Sequence, residues 1–352
     1  MKDLVFYNYQ AASSFIKNDK EILKSKFRII EFKFSISKKH LTPILFLSQL
    51  KTLVIKWQKY NIIVSQIAGY HTFLPSLFSM LKLKKHIIIL HGTECNVIPE
   101  IGYGNLQKPI LKWFTKFSIT HATLLLPVSD ALIENNSKYY NNNGAKFGLK
   151  NIIQSFKTPY QVIHNGLDIS VFNITNEDRP KYSFLTVALD LHLLKNVVLK
   201  GIDLILEIAK QNPILEFSII GSEKIFGYNN DLPNVHLVGK ISHKKLVEYY
   251  NLHRFYLQLS ISESFGLSLC EAMLSGCTPI VSNVGMMPEI VGDTRFVLKN
   301  RSVSELDKLI KFCLVEDENI YNLRKRITDN YSLSKRKEEL LNNIKICRNK
   351  SL

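Results

Sequence analysis

Two doubly wound α/β domains are what this sequence predicts, and three observations predict them. Short apolar runs rich in β-branched residues alternate with longer stretches of helical period from one end to the other, the pattern of parallel sheets covered by helices on both faces. At 352 residues the chain is too long for one ordinary core. Near the middle, the run Val162-Ile163-His164-Asn165-Gly166-Leu167-Asp168 brings apolar residues up to an Asn-Gly turn, a natural crossing point between halves. The domains are therefore set at residues 1–163 and 164–333, with the charged segment 334–352, a helix with one apolar stripe, packing back on the first.

In the first half the strands fall at Leu4–Tyr7, Arg28–Phe32, Ile62–Ser65, His86–Leu90 and Leu124–Val128. Helices are expected near 11–26, 43–60, 73–83, 106–120 and 130–140, and the Asn- and Gly-rich stretch Tyr139–Lys150 reads as a loop. In the second half strands fall near Phe184–Ala188, Glu216–Ile220, Val235–Val238, Phe255–Leu259 and Thr278–Ser282, and a helix is expected after each. Open α/β sheets bind ligands beyond the carboxyl ends of their strands, so two facing sheets imply a cleft between domains.

With 46% hydrophobic and 22% charged residues the composition excludes a disordered or fibrous chain. No apolar run approaches the roughly 18–20 residues that span a bilayer, and Met1-Lys2-Asp3 opens no cleavable signal pattern, so the reading is cytoplasmic. The five cysteines, Cys95, Cys270, Cys277, Cys313 and Cys347, are widely spaced and suggest neither a disulfide framework nor a zinc site. No G-x-G-x-x-G or Walker P-loop is present, which argues against dinucleotide oxidoreductases and P-loop NTPases.

Charge is concentrated in one half. Residues 1–160 hold 22 Lys and Arg against 8 Asp and Glu, while the remainder holds 24 against 22. A basic first half attracts a polyanion, whereas a compositional drift toward Lys would load both halves. Two stretches there, Leu41–Tyr60 and Phe73–Lys85, mix lysines with large apolar residues at helical spacing. They suit packing on a sheet and equally suit an anionic lipid surface, which would place the protein peripherally on the inner membrane face. Nucleic acid fits poorly, because the aromatics do not interleave with the bases as a stacking platform.

The most informative stretch runs from Leu259 to Gly276. An apolar strand ends near Ser260, Gly266 permits a tight turn, and a helix from about Leu267 stops at Gly276. Its free N–H groups attract negative charge such as a diphosphate. Glu271 sits on a helix that is apolar nearly all round and must find donors, either a Lys, Arg or backbone N–H, or the hydroxyls of a ligand such as a ribose. Glu263 lies eight positions earlier on the preceding loop, so the two carboxylates occupy separate places. A nucleotide sugar, with hydroxyls at both ends and phosphates between, has the matching layout.

Glu263 and Glu271, with Phe265-Gly266-Leu267 between them and Gly276 after, resemble the donor-site motif of the GT4-family glycosyltransferases, which have the GT-B fold. Val162–Phe172, Lys200-Gly201, Ile219-Ile220-Gly221, Leu232–Gly239, Pro288–Val291 and His91-Gly92-Thr93-Glu94 are similar to the same family. The resemblance implies a donor-binding set of Glu271 for ribose hydroxyls and Gly266, Leu267 and Ser268 for sugar or phosphates. It implies a catalytic set of Glu263 against the donor sugar, Lys200 on the diphosphate and His91 as a hydrogen-bonding partner of the sugar. The family usually carries an Arg before that lysine; Ala188-Leu189-Asp190 stands there instead, with Lys195 as the substitute. Tyr7–Ala12 lacks the glycine-rich first loop of many relatives, so acceptor residues stay unassigned, and Glu289 is read as a favourable charge at a helix start.

The resemblance further implies a retaining transfer without metal or cofactor, from a nucleotide sugar to a glycan or lipid-linked acceptor, as in polysaccharide or lipopolysaccharide assembly. A nucleotide-sugar epimerase of the same fold and a catalytically silent nucleotide-sugar-binding partner are the alternatives.

Overall fold

The computed structural model describes residues 3–35, 41–140, 144–316 and 319–349. The first sheet is parallel and built from β1 (Leu4–Tyr9), β2 (Arg28–Lys33), β3 (Ile62–Gln66), β4 (Lys85–Leu90) and β6 (Leu124–Pro127), in the order β2-β1-β3-β4-β6. Residues of β3 and β4 are buried on both faces, which explains the continuous apolar runs Ile62–Val64 and Ile87–Leu90 within them. Helices α1 (Ser14–Lys26), α2 (Thr42–Ile55), α3 (Phe73–Met80) and α4 (Pro109–His121) cover it. Under α2 and α3 lies a small separate cluster of Phe6, Leu53, Tyr60, Ile63 and Phe78.

The second sheet contains β8 (Ser183–Val187), β9 (Glu216–Ile220), β10 (Val235–Val238), β11 (Phe255–Gln258), β12 (Thr278–Ser282) and β13 (Val297–Leu298). All its pairs are parallel, in the order β10-β9-β8-β11-β12-β13. Strand order reverses between β8 and β11 here and between β1 and β3 in the first sheet, and such switch points leave a crevice at the strands' carboxyl ends. Around this sheet pack α6 (Leu194–Lys200), α7 (Ile202–Gln211), α8 (His243–Leu252), α9 (Leu267–Leu274), α10 (Met287–Val291), α11 (Val303–Val315) and α12 (Ile320–Asn330).

Four expectations need correcting. No helix forms over 130–140: Ser129 caps a single turn at Asp130–Leu132, and Asn135 then uses its side-chain oxygen to take the Ser137 N–H at 2.9 Å, a local bond that competes with helix. The stretch 139–150 is not all loop. Lys146–Phe147 (β7) pairs antiparallel with Asn96–Val97 (β5), and Leu149–Ile152 forms a short helix, α5; residues 141–143 lie outside the described residues. The connection from β9 to β10 holds no helix, since Gly227, Asn229, Asn230 and Pro233 break its period and Asn234 ties its end to the carbonyls of Ala209, Asn212 and Leu215. Finally, β13 is an additional two-residue strand, too short for its alternation to register.

The chain crosses between sheets twice. The crossings are joined: Leu167 N–H donates to Tyr331 O at 2.9 Å and Leu333 N–H to Leu167 O at 2.8 Å. Helix α13 (Leu333–Asn349) then returns to the first sheet, where Lys85 Nζ donates to the carbonyls of Cys347 and Arg348, both at 2.9 Å. Residues 350–352 of the expected terminal helix lie outside the described residues. Arg336 on α13 clasps Asp19 on α1 in a two-pronged pair at 2.6 and 2.7 Å, both side chains buried. Arg336 also donates to the carbonyls of Ile163 and His164 at the first crossing.

Candidate functional site

A cleft of about 190 Å³ opens where the carboxyl ends of the two sheets meet. The first sheet contributes His91, directly after β4, and Phe15 from α1. The second contributes Thr186 and Val187 at the end of β8, Gln258 and Ser260 at the end of β11, Lys200, and the run Glu263–Ser268; Asn165 enters from the crossing. This is the β8/β11 switch point, where the topology leaves room.

The second-domain wall is built by two turns. Gly266 takes φ +96°, a left-handed conformation that lets the backbone turn directly into α9, so that Gly266, Leu267 and Ser268 present the helix tip to the cleft. Gly201 takes φ +68° between α6 and α7 and leaves Lys200 as the last residue of α6. Lys200 Nζ meets Glu263 Oε2 at 3.0 Å, and Gln258 Nε2 donates to the same oxygen at 3.0 Å. A carboxylate, an ammonium and a helix N-terminus thus share one corner.

Glu271 lies three positions after Ser268 and four after Leu267, hence on the same face of α9 one turn deeper. The carboxylate, only partly exposed, finds its donors, and they are neither Lys, Arg nor backbone. His243 Nε2 lies at 3.1 Å from Oε1, and the Tyr250 hydroxyl donates to Oε2 at 3.1 Å, both from α8. The hydrogen bond to Glu271 raises the His243 imidazolium above its ordinary value, while burial and then the Glu271 charge push the Tyr250 hydroxyl well up.

On the opposite wall, the His91 ring packs against Phe15 at a 32° tilt with ring centroids 4.3 Å apart. Its Nε2 meets Gln66 Oε1 at 2.7 Å. The backbone N–H groups of His91 and Gly92 donate to the carboxylate of Glu94 at 2.8 and 3.1 Å, which fixes the turn. Burial, then the Arg336 charge, lowers the His91 pKa to about 3, so the ring is neutral near pH 7. Across the cleft the Ser264 hydroxyl donates to the His91 carbonyl, and Asn96 Nδ2 lies 3.1 Å from Ser262 Oγ.

Seven of the eight sequence-predicted residues sit at or beside this cleft: His91, Lys200, Glu263, Gly266, Leu267 and Ser268 line it, and Glu271 extends it. Lys195 does not. It is exposed in the first turn of α6, about 140° around the helix from Lys200, and is not among the lining residues. Glu289 is exposed in the first turn of α10. Sequence reasoning missed Phe15, Asn165, Thr186 and Gln258, although a polar residue closing an apolar strand was a signal for Gln258. The five cysteines are buried, and among the described residues no group of three or more His, Cys, Asp and Glu could hold a metal ion.

Comparison with known proteins agrees with this fold. Residues 192–332 match the family model described as glycosyl transferases group 1. A phosphatidylinositol N-acetylglucosaminyltransferase component of Arabidopsis thaliana is 22% identical over 219 residues, 57% of this chain and 48% of the plant protein, so the match spans about half of that relative's length. Sucrose-phosphate synthase from Thermosynechococcus elongatus superposes with a TM-score of 0.71 at 14% identity, over 98% of both chains. Anabaena Alr3699/HepE in complex with UDP and glucose superposes with a TM-score of 0.66 at 14% identity, over 98% of this chain and 100% of that one. The chain has the GT-B fold, two Rossmann-like domains around a cleft, and over residues 192–332 of its second domain it is similar to the glycosyl transferases group 1 family.

Proposed function

We propose that this protein is a retaining glycosyltransferase of the GT4 type. It moves a sugar from a nucleotide-sugar donor to a lipid-linked or cell-envelope glycan, working peripherally on the cytoplasmic membrane face without metal or cofactor. One observation carries the reading: Lys200 and Glu263 meet at the tip of α9, with a neutral His91 on the opposite wall. The relatives support it, since one is named as a phosphatidylinositol N-acetylglucosaminyltransferase and another is described with UDP and glucose.

In this reading Glu271 takes the ribose hydroxyls, held ready by Tyr250 and His243. The N–H groups at Gly266, Leu267 and Ser268 and the Lys200 ammonium receive the diphosphate, whose charge grows as the glycosidic bond breaks. Glu263 lies against the sugar and steadies positive charge developing at the anomeric carbon. His91 accepts a hydrogen bond from a sugar hydroxyl through its remaining lone pair. The acceptor oxygen bonds to the anomeric carbon as the bond to the diphosphate breaks, and the acceptor's proton passes to the departing phosphate oxygen, so no separate base is needed. The first-domain lysines favour an anionic membrane surface. Among the described residues no helix is long and apolar enough to cross a membrane.

The test is release of nucleoside diphosphate from a panel of nucleotide sugars by wild type and by Glu271→Ala. Turnover in the wild type with a large loss in the variant supports the reading; equal turnover in both refutes the assigned role. Donor binding without turnover against any acceptor would identify the silent partner instead.

A further inference from the structure

Helix α2 is apolar on nearly every side, yet only Gln49 and Leu53 are buried on it. Ile44, Leu47, Val54 and Ile55 are each more than half exposed, as are Ile110 and Trp113 on α4. Helices of that composition are normally enclosed, and a contiguous exposed apolar surface marks a binding face. Between α2, α3 and α4 the described residues leave a groove of about 970 Å³, walled by Phe46, Leu47, Leu50, Leu74 and Phe114, with Lys108 at its rim. It is about five times the volume of the cleft and near the top of the ~300–1,000 Å³ range of small-molecule sites.

Topology aims this groove at the cleft. Helix α2 starts after the end of β2, α3 after β3 and α4 after β4, so their first turns all lie at the carboxyl end of the first sheet, where His91 is. The groove is walled by those early turns. Its Tyr70 adjoins a loop whose Ala68 carbonyl accepts from Asn105 Nδ2 at 3.1 Å, and Asn105 N–H donates to Thr93 O at 2.8 Å, two residues from His91.

Charge selects the occupant. Among the described residues, Lys108 is the one charged residue lining the groove, and Lys112 and Lys116 follow it, exposed, on α4. The walls offer almost nothing to hydrogen-bond, so they suit a hydrocarbon chain better than a peptide backbone, whose N–H and C=O groups would be left unpaired.

Resting on the transferase reading and naming its acceptor class, we propose that the groove holds the hydrocarbon chain of a phosphate-bearing lipid acceptor. The chain lies between α2 and α4, and the anionic head sits at Lys108, on the side of the groove that leads to His91.

The test follows Trp fluorescence while the full chain is titrated with dodecyl phosphate below its micelle concentration, with dodecyltrimethylammonium as a probe of opposite head charge, and with inorganic phosphate. Saturable binding of dodecyl phosphate is expected. Leu47→Glu should weaken it by about tenfold or more, because the carboxylate would have to be buried against the chain. Val315→Glu, an apolar position on α11 that is also more than half exposed, should bind as wild type does, and equal melting temperatures would show that both variants are folded. Lys108→Glu should abolish the preference for phosphate over trimethylammonium.

Equal binding by wild type and Leu47→Glu, full competition by inorganic phosphate, or binding of phosphatidylglycerol vesicles without binding of monomeric dodecyl phosphate would each overturn the proposal, the last by making this face a membrane-docking surface. No nucleotide sugar is present in the titration. A normal titration with no donor turnover therefore rejects the transferase reading alone, and normal turnover with no titration rejects the groove alone.

Discussion

Gln66 turns its Oε1 to His91 Nε2 at 2.7 Å because its own Nε2 is committed to Asp19 Oδ2 at 2.8 Å and the Tyr7 hydroxyl at 3.0 Å. Asp19 is acceptor-only and already clasped by Arg336, so the amide has one sensible orientation. His91 must then donate from Nε2, which leaves Nδ1 as the ring's acceptor. A chain of four side chains from α13 to the cleft sets the tautomer of one imidazole.

Gln66→Leu should free that ring. Loss of the bond predicts a fall in kcat of about 10- to 100-fold, the worth of ~1–3 kcal/mol for a buried group left unpaired. Nucleotide affinity, which depends on the other wall, should change little; a titration with nucleoside diphosphate beside steady-state kinetics reads the split.

Asp19→Asn leaves Arg336 buried without its counter-charge and should cost about 3–5 kcal/mol in urea unfolding. The exposed pair Asp293–Arg295, at 2.8 Å, is the contrast: Asp293→Ala should cost less than ~1 kcal/mol. Similar losses in the two variants would contradict the burial argument.

Lys200→Ala removes the ammonium that faces Glu263 and should lower kcat by about 10²–10³-fold, as losing a donor to developing charge does. Tyr250→Phe removes only a bond that holds Glu271 and should raise KM more than it lowers kcat. Steady-state kinetics with varied nucleotide sugar separates the two outcomes.

Stability should fall on acidification below pH 6.5. Burial depresses His71 to about 4 and His86 to about 3, the latter also through His71, so both stay neutral when folded while the unfolded chain takes up protons near 6.5. Their contribution is fully present above 6.5 and is lost as pH drops toward those lowered values. The slope is about 1.4 kcal/mol per pH unit for each ring. His243 works the other way: its raised value adds stability below the unfolded pKa that disappears as pH climbs through the folded one, but the ring is half exposed and the effect small. Urea midpoints between pH 7.5 and 5 test the net sign.

Much of this was legible in the residues. The central strands announced themselves because both faces of a parallel sheet are buried, the partly exposed edge strands β2 and β10 through their β-branched and aromatic residues, and the α9 turn through Gly266 and a carboxylate on an apolar helix. What was not legible depends on contacts between distant segments. Asp19 and Arg336 are 317 positions apart, and nothing local marks either as the other's partner. Tyr250 and His243 share a face of α8 at seven-residue spacing, yet only the packing of α8 on α9 aims them at Glu271. Lys195 was read as the substitute for the missing Arg from its proximity to the motif, but sequence proximity carries no direction, and helical phase turns it away from the cleft. The failed helix at 130–140 has the right length and apolar content, and lost to the side-chain bond of a single asparagine.

The paired crossings at Leu167 and at Tyr331–Leu333 determine how anything could enter. A space of about 190 Å³ is below the ~300 Å³ at which small-molecule sites begin, and the Ser264 hydroxyl already reaches across to the carbonyl of His91. Next to it Gly92 carries no side chain, and a Cβ there would collide with Ser264 Oγ. A donor of the proposed kind would need more room than the two lobes leave between them, and the stitched crossings place the seam about which those lobes would turn, like covers on a binding. Gly92 is then the latch plate: it matters for shutting, and a methyl group at that position would leave the book ajar.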